Sequence, residues 1–163
     1  MEYNWKNQEA SFGLPRKKQV KGGTHITCEI ILKKENEYIA LRRPKGIPEH
    51  ELPLLAKKYP QGLVYFCHNL IGYGESMEEC VRKIVKVQAN ISVQNMKVVS
   101  IDSFVQKKDK QWAFTSHIIA EVNKAPEINA ERTEVITFKK ENPPSDMALW
   151  TKKELQEFLQ EYD

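Results

Sequence analysis

The sequence has few of the residues that stabilise small secreted proteins, and it has no segment that resembles a membrane span. Its 163 residues include three cysteines, Cys28, Cys67 and Cys80, an odd number without a C-x-x-C pair. This pattern argues against a disulfide framework and against a structural zinc site. No apolar run approaches the roughly 18 residues of a membrane-spanning helix, and the first ten residues lack the apolar core of a secretory signal. We therefore expect a cytoplasmic protein without membrane association, with its cysteines as buried free thiols.

An excess of one charge is also missing from most of the chain. The net charge is +3, from 25 basic and 22 acidic residues. Residues 1–25 hold five basic and two acidic side chains, so the rest of the chain is neutral overall. A nucleic-acid-binding domain usually carries a basic patch or stripe. We therefore do not expect nucleic acid as a partner, and we interpret the basic cluster at 16–18 as solvated.

The chain length and composition indicate one domain with a short extension. Apolar residues make up 40% of the chain, which is enough for a hydrophobic core. Residues 1–22 are predicted to form an N-terminal arm, in which Trp5, Phe12 and Leu14 could contact the body of the protein. The Gly22-Gly23 pair separates this arm from a single domain over residues 23–163.

Hydrophobic patterning predicts alternating strands and helices over this domain. Strands are predicted over 24–32, 37–42, 63–67, 97–105, 112–122 and 135–139. A short helix is predicted over 49–59, a second from Met77 to about Ala89, and a last one after Thr151 to about Gln160. Ser76 with Glu79, and Thr151 with Glu154, each have the spacing of a capping box at a helix start. The result is a mixed α/β domain with two strand hairpins and helices covering a mixed or antiparallel sheet.

The predicted helix after Ser76 is amphipathic. At about 100° per residue, one face of this helix is apolar and the other is charged. The apolar face holds Met77, Cys80, Val81, Ile84, Val85, Val87 and Gln88. Ile84 lies near the centre of this face, and Gln88 is its one polar member. We therefore expect this face to pack on the sheet.

Three segments of the chain are similar to a known family. They are Gly74-Glu75-Ser76-Met77-Glu78-Glu79, Leu149-Trp150-Thr151-Lys152-Lys153-Glu154-Leu155 and Ile39-Ala40-Leu41-Arg42-Arg43. With these segments and with the order of its predicted strands and helices, the chain resembles the Nudix hydrolases from about Thr24 to Gln160. The resemblance implies an α/β/α sandwich with a mixed β-sheet flanked by helices. It also implies a pyrophosphohydrolase of nucleoside diphosphate derivatives that uses Mg²⁺ or Mn²⁺, and dimers are common in the family.

The family's sequence box, G-x5-E-x7-R-E-U-x-E-E-x-G-U with U aliphatic, matches this chain only in part. When the box is anchored on Glu75, its arginine falls on Lys83. The three remaining carboxylate positions fall on Ile84, Val87 and Gln88. The opening glycine falls on Asn69, the glycine that usually precedes it falls on His68, and the late glycine falls on Asn90. The two aliphatic positions fall on Val85 and Ile91 and match. Ile and Val offer no oxygen, whereas Mg²⁺ and Mn²⁺ prefer charged oxygen ligands.

The acidic residues at the start of this helix remain as candidates. Glu75, which stands at the first glutamate of the box, and Glu79 are candidate catalytic residues. Glu75, Glu78 and Glu79 could also form an acidic cluster and are candidate ligands of a relocated metal. A structural alternative is available for them, because Glu78 has ion-pair spacing to Arg82 and acids in a first helical turn favour the helix dipole.

The candidate ligand-binding residues surround the same segment. Arg42 and Arg43 end a predicted strand and could hold a diphosphate, or they are simply solvated. His68, Tyr73, Lys83 and Gln88 complete the set. His68 is either a pocket residue or structural, and Tyr73 either stacks on a base or packs in the core. Gln88 either faces a ligand or satisfies a buried backbone group.

Three hypotheses for function follow. The first is a Nudix-like module that binds a nucleoside diphosphate derivative for regulation and has impaired catalysis, without a metal cofactor. The second is a divergent hydrolase that uses Mg²⁺ or Mn²⁺ and draws ligands from Glu75, Glu79 and loop acids at 49, 51 or 131. The third is a scaffold for protein interactions. A homodimer is compatible with each of them.

Overall fold

A computed structural model describes residues 24–48, 50, 60–72, 74–106, 111–129 and 132–163. Its strands are β1 (Thr24–Lys34), β2 (Glu37–Arg42), β3 (Val64–Tyr65), β4 (Cys67–Leu70), β5 (Val93–Gln106), β6 (Gln111–Val122) and β7 (Glu134–Phe138). Its helices are α1 (Met77–Ala89) and α2 (Lys152–Tyr162). The predicted arm over 1–22 lies outside the described residues, as do Tyr73 and, except for residue 50, the predicted helix over 49–59.

The seven strands form one mixed sheet around β1. Strand β1 runs parallel to β6 from Thr24 to Lys33, and β6 pairs antiparallel with β5. On its other side, β1 pairs antiparallel with β4 over Thr27–Ile30 and with β2 over Leu32–Lys34. The segment 64–70 therefore fills the gap between β1 and β2, because its β3 part pairs with β2 and its β4 part pairs with β1.

The sheet is covered by a helix on each face, as predicted. On one face, Cys80, Val81, Ile84 and Val85 of α1 pack against alternate residues of β1 and β6. On the other face, Leu155 and Leu159 of α2 pack with Ile31, Phe66 and Ile119. We call these the α1 face and the α2 face of the sheet. The two apolar clusters give the three layers of an α/β/α sandwich.

Both capping boxes are confirmed. The Ser76 hydroxyl accepts from the Glu79 N–H at 3.2 Å, and a Glu79 carboxylate oxygen accepts from the Ser76 N–H at 3.0 Å. The same reciprocal bonds join Thr151 and Glu154 at the start of α2. At the other end of α1, Asn90 adopts a left-handed conformation with φ of 55°. Asparagine tolerates this conformation better than most residues, so it can stand where the family has glycine.

The third and fourth predicted strands differ from those observed. The run 63–67 was predicted as one strand, but the ladder is interrupted at Phe66, where pairing transfers from β2 to β1. Strand β5 begins at Val93 rather than 97, because β-bulges between Val93 and Met96 and between Val98 and Ser100 disturb its alternation. Periodicity alone does not reveal a strand whose side chains change face at a bulge.

The three cysteines are buried and unpaired, as predicted. The Sγ atoms of Cys28 on β1 and Cys80 on α1 lie 4.0 Å apart under the first turn of the helix. Among the described residues, no helix is long and apolar enough to cross a membrane.

Candidate functional site

Glu75 fastens the loop before α1 to the helix itself. One carboxylate oxygen forms an ion pair with the Lys83 ammonium two turns along the helix, and the other accepts from the Gly72 N–H at 3.0 Å. A Cβ atom on residue 72 would lie 2.8 Å from that second oxygen, so a larger residue would require the Glu75 carboxylate to shift. Partial burial opposes the charge on Glu75, but Lys83 and the Gly72 N–H outweigh it and lower its pKa. Both oxygens are therefore engaged by the protein.

The other two acids of the predicted metal set also have protein partners. Glu78 lies 3.0 Å from the Arg82 guanidinium, and both side chains are exposed. Glu79 is the capping-box residue and accepts from the Ser76 hydroxyl at 2.7 Å as well as from its N–H. Lys83, a candidate ligand-binding residue, is held by Glu75. The structure thus places these residues in the local contacts that form the start of α1.

The positions that hold carboxylates in the family's box face the protein interior here. Ile84 is fully buried in the cluster between α1 and the sheet. Val87 is half-buried and packs against the same cluster. These side chains offer hydrocarbon where a divalent cation would need charged oxygens.

Gln88 joins α1 to β4 through a pair of hydrogen bonds. Its amide oxygen accepts from the His68 N–H at 3.1 Å, and its amide nitrogen donates to the His68 carbonyl at 2.9 Å. Only 2% of Gln88 is exposed. A neutral N–H donor therefore satisfies the His68 carbonyl, and both ends of the buried amide are used within the protein.

Arg43 and the rings of His68 and Tyr65 form a second cluster. The Arg43 guanidinium lies 4.4 Å from the centroid of the Tyr65 ring, and its Nη2 is 3.3 Å from Nε2 of His68. His68 Nδ1 donates to the Phe66 carbonyl at 2.9 Å, which leaves Nε2 as the acceptor that faces Arg43. Burial and the nearby guanidinium lower the pKa of His68, so its ring stays neutral. The structure thus brings two of the predicted ligand-binding residues, Arg43 and His68, into contact.

Arg42 has a different environment from its neighbour. Its guanidinium bonds Glu134 of β7 at 2.5 Å, Asp146 at 2.6 Å and the Gly62 carbonyl at 2.8 Å. Arg42, Glu134 and Asp146 line an open groove of about 610 Å³ next to β7. Two carboxylates therefore compete with any anion for Arg42. Tyr73 and the loop acids at 49, 51 and 131 lie outside the described residues.

Arg132 is a buried residue that sequence analysis missed. It is only 4% exposed, and its guanidinium donates to the Gln88 carbonyl at 2.5 Å and to the Glu127 carbonyl at 3.1 Å. The Gln88 carbonyl belongs to the last turn of α1, where the helix dipole favours a cation. Arg132 therefore holds the same helical residue whose amide joins β4. Its position in a polar loop gave no signal of this role.

A second group that sequence analysis missed lies on the α2 face. Glu29 of β1 and His117 of β6 are register partners, and both are buried. Glu29 accepts from the Trp150 indole N–H at 2.9 Å and lies 3.2 Å from His117 Nδ1 without a well-aligned hydrogen bond. His117 Nε2 is 3.0 Å from Asp102, and its ring meets Trp150 and Phe158 edge-on. The group links three strands to the start of α2.

The stability of the domain should depend on the charge of His117. Burial opposes protonation, but Glu29 and Asp102 outweigh it and raise the pKa of His117. A raised pKa adds stability that is complete below the ordinary value of about 6.5 and is lost as the pH rises through the folded value. We expect the free energy of unfolding, measured in urea, to fall across this window, and the fall to shrink in a His117→Gln variant. His50→Gln is the control. If the free energy of unfolding of His117→Gln depends on pH as strongly as that of the unchanged chain, this assignment is wrong.

The donor set at the start of α1 does not fit a divalent metal. Among the residues that the structure describes, no group of three or more His, Cys, Asp or Glu side chains is placed to hold a metal ion. Glu75 is neutralised by Lys83, Glu79 caps the helix, and Ile84 and Val87 have no donor atoms. The described residues therefore do not reproduce the ligand set that the family resemblance implies.

The comparison with solved structures identifies the fold. No protein-family model matches this sequence, and no curated protein sequence is similar to it. Among solved structures, the chain is similar to a MutT protein from Methanosarcina mazei Go1, with a TM-score of 0.61 and 15% identity over 88% of this chain and 98% of that one. A MutT Nudix hydrolase from Burkholderia pseudomallei gives 0.60 and 12% over 82% and 96%. An ADP-ribose pyrophosphatase from Streptococcus suis 89-1591 gives 0.57 and 16% over 84% and 90%. The chain therefore has the fold of the Nudix hydrolases.

Proposed function

We propose that this protein binds a nucleoside diphosphate derivative as a regulatory or sensing module and lacks ordinary pyrophosphohydrolase activity. One observation carries the proposal. The three box positions after Lys83 are two inward-facing aliphatic side chains, Ile84 and Val87, and an amide, Gln88, that is committed to the His68 backbone. Metal-assisted hydrolysis needs a cation that can clamp the diphosphate and lower the pKa of water, and such a cation needs oxygen ligands.

Arg43 is the side chain best suited to a phosphate in this arrangement. It lies against two neutral rings, Tyr65 and His68, whereas Arg42 is committed to two carboxylates. A guanidinium can hold a phosphate with two parallel hydrogen bonds. Arg43 directly follows β2 and is only half-buried, so part of its side chain is open to solvent. These contacts support Arg43 as the anchor of the ligand and His68 as its neighbour.

The proposal predicts binding that does not need a metal. A panel of nucleoside diphosphates and nucleotide sugars should include at least one compound that raises the melting temperature equally with Mg²⁺ and with a chelator. At a free ligand concentration of about 100 times the Kd, binding should add roughly 2.7 kcal/mol to the free energy of unfolding. Arg43→Ala should weaken that binding about tenfold or more, because a charge-assisted hydrogen bond is lost.

One control variant and two contrary results decide the outcome. Lys97→Ala removes an exposed cation on β5 and should leave binding unchanged. Turnover of any of these compounds with Mg²⁺ or Mn²⁺, abolished by Glu75→Gln or Glu79→Gln, would overturn the proposal in favour of a divergent hydrolase. A complete lack of stabilisation by the whole panel would favour the scaffold hypothesis instead.

A further inference from the structure

The α1 face of the sheet continues beyond the helix as an exposed apolar surface. Register places Ile26 opposite Phe114, and Val105 opposite Trp112, on the same face as the buried Cys28 and Ile118. The exposed fractions are 50% for Ile26, 62% for Ile101, 60% for Val105 and 48% for Trp112. We call this set, together with the half-buried Phe114, the distal apolar face.

The distal apolar face is built as a packed surface rather than as scattered residues. The Trp112 and Phe114 rings lie 4.4 Å apart, and the Trp112 indole donates to the Ser103 hydroxyl at 2.7 Å. Ile101 of β5 lies on the same face as Val105, opposite the buried Ser116 of β6. None of these side chains carries a charge. A contiguous apolar face on three adjacent strands usually marks a surface that is covered by something.

The chain itself supplies an apolar segment at this position. Strand β1 begins at Thr24, whose register partner is Trp112, so the described part of the chain begins at the edge of the distal apolar face. Residues 1–22 include Trp5, Phe12 and Leu14 and are followed by Gly23. Fully extended, 22 residues reach roughly 70 Å, whereas three adjacent strands span only about 10 Å.

We propose that residues 1–22 fold back and cover the distal apolar face, with Phe12 and Leu14 as the contacting side chains. The Gly22-Gly23 pair allows the reversal of direction that this path needs. A short tether gives the segment an effective concentration in the millimolar range, far above that of a second copy of the chain at micromolar concentration. The intramolecular contact is therefore favoured over a dimer through the same face. This inference does not depend on the proposed ligand.

Thiol labelling in the full-length chain tests this placement. Ile101→Cys puts a thiol in the middle of the face at an exposed position, and the native cysteines are buried. We expect a maleimide to label Ile101→Cys slowly in the intact chain and about tenfold faster when Phe12→Ser and Leu14→Ser are added. A Gln94→Cys thiol, exposed on the same strand outside the face, should react rapidly in both backgrounds.

Two results would overturn the proposal. In the first, Ile101→Cys reacts as fast as Gln94→Cys in the intact chain, which means that the face is open. In the second, labelling is slow, unaffected by the Phe12 and Leu14 substitutions, and slower still at higher protein concentration, which assigns the cover to a second copy. Lys17→Ser with Lys18→Ser is the matched control in the arm and should leave the slow rate unchanged.

Discussion

Ile84→Glu is expected to lower the free energy of unfolding by about 4 kcal/mol. The family's box has a carboxylate at this position, but here the side chain is fully buried between α1 and the sheet. A carboxylate there would lose its hydration without gaining a cation, so it would unfold the helix packing or take up a proton. The substitution that restores the box should therefore damage the fold rather than recreate a metal site.

Urea denaturation of two matched variants separates the effect of a buried charge from the effect of lost packing and from that of an exposed charge. Ile84→Val removes one methyl group and should cost about 1 kcal/mol. Lys86→Glu places a carboxylate on the exposed side of the same helix and should cost less than about 1 kcal/mol. Near wild-type stability of Ile84→Glu would mean that this face of α1 opens onto solvent. A carboxylate at position 84 would then be accessible to a metal ion.

Arg132→Ala should lower the free energy of unfolding by about 3 kcal/mol. The truncated side chain no longer donates to the Gln88 and Glu127 carbonyls, and the Gln88 carbonyl loses its partner in a buried region. The end of α1 also loses the cation that its dipole favours. Because Gln88 holds β4 as well, the loss should spread from the helix end to the strand that carries His68.

Thermal and urea unfolding of Arg132→Ala, compared with Arg82→Ala, test this assignment. Arg82 also donates to a backbone carbonyl, that of Val93, but nearly half of its side chain is exposed. Its removal should cost about 1 kcal/mol or less, because water replaces the lost contacts. Arg132→Lys keeps the charge without the planar fork and should be intermediate. Equal costs for Arg82→Ala and Arg132→Ala would show that burial at position 132 adds nothing.

The elements with local signals were predicted well. Helix α1 was predicted with its observed ends because Ser76, Glu79 and the apolar periodicity all lie within one short segment. Strand β2 was likewise predicted with its observed ends. Strand β5 was not, since its bulges depend on pairing with β6, and that pairing is not visible along a single strand.

The candidate site was harder to predict because its contacts join distant residues. Glu29 meets His117 through the parallel pairing of β1 with β6, and Arg132 meets Gln88 across 44 positions of the chain. Sequence analysis identified Gln88 as an unusual polar residue on an apolar face, but its partner on β4 becomes visible only in the fold. Charge and polarity indicate that a residue is unusual, whereas tertiary structure decides which partner it has.

The Gln88 amide joins α1 to β4 without an ionisable group. Its two hydrogen bonds join neutral groups, and neither the amide nor the backbone of His68 titrates in the physiological range. These two hydrogen bonds need neither a bound divalent ion nor a protonated side chain. Their contribution to the spacing between β4 and α1 is therefore independent of the ionic composition around the chain.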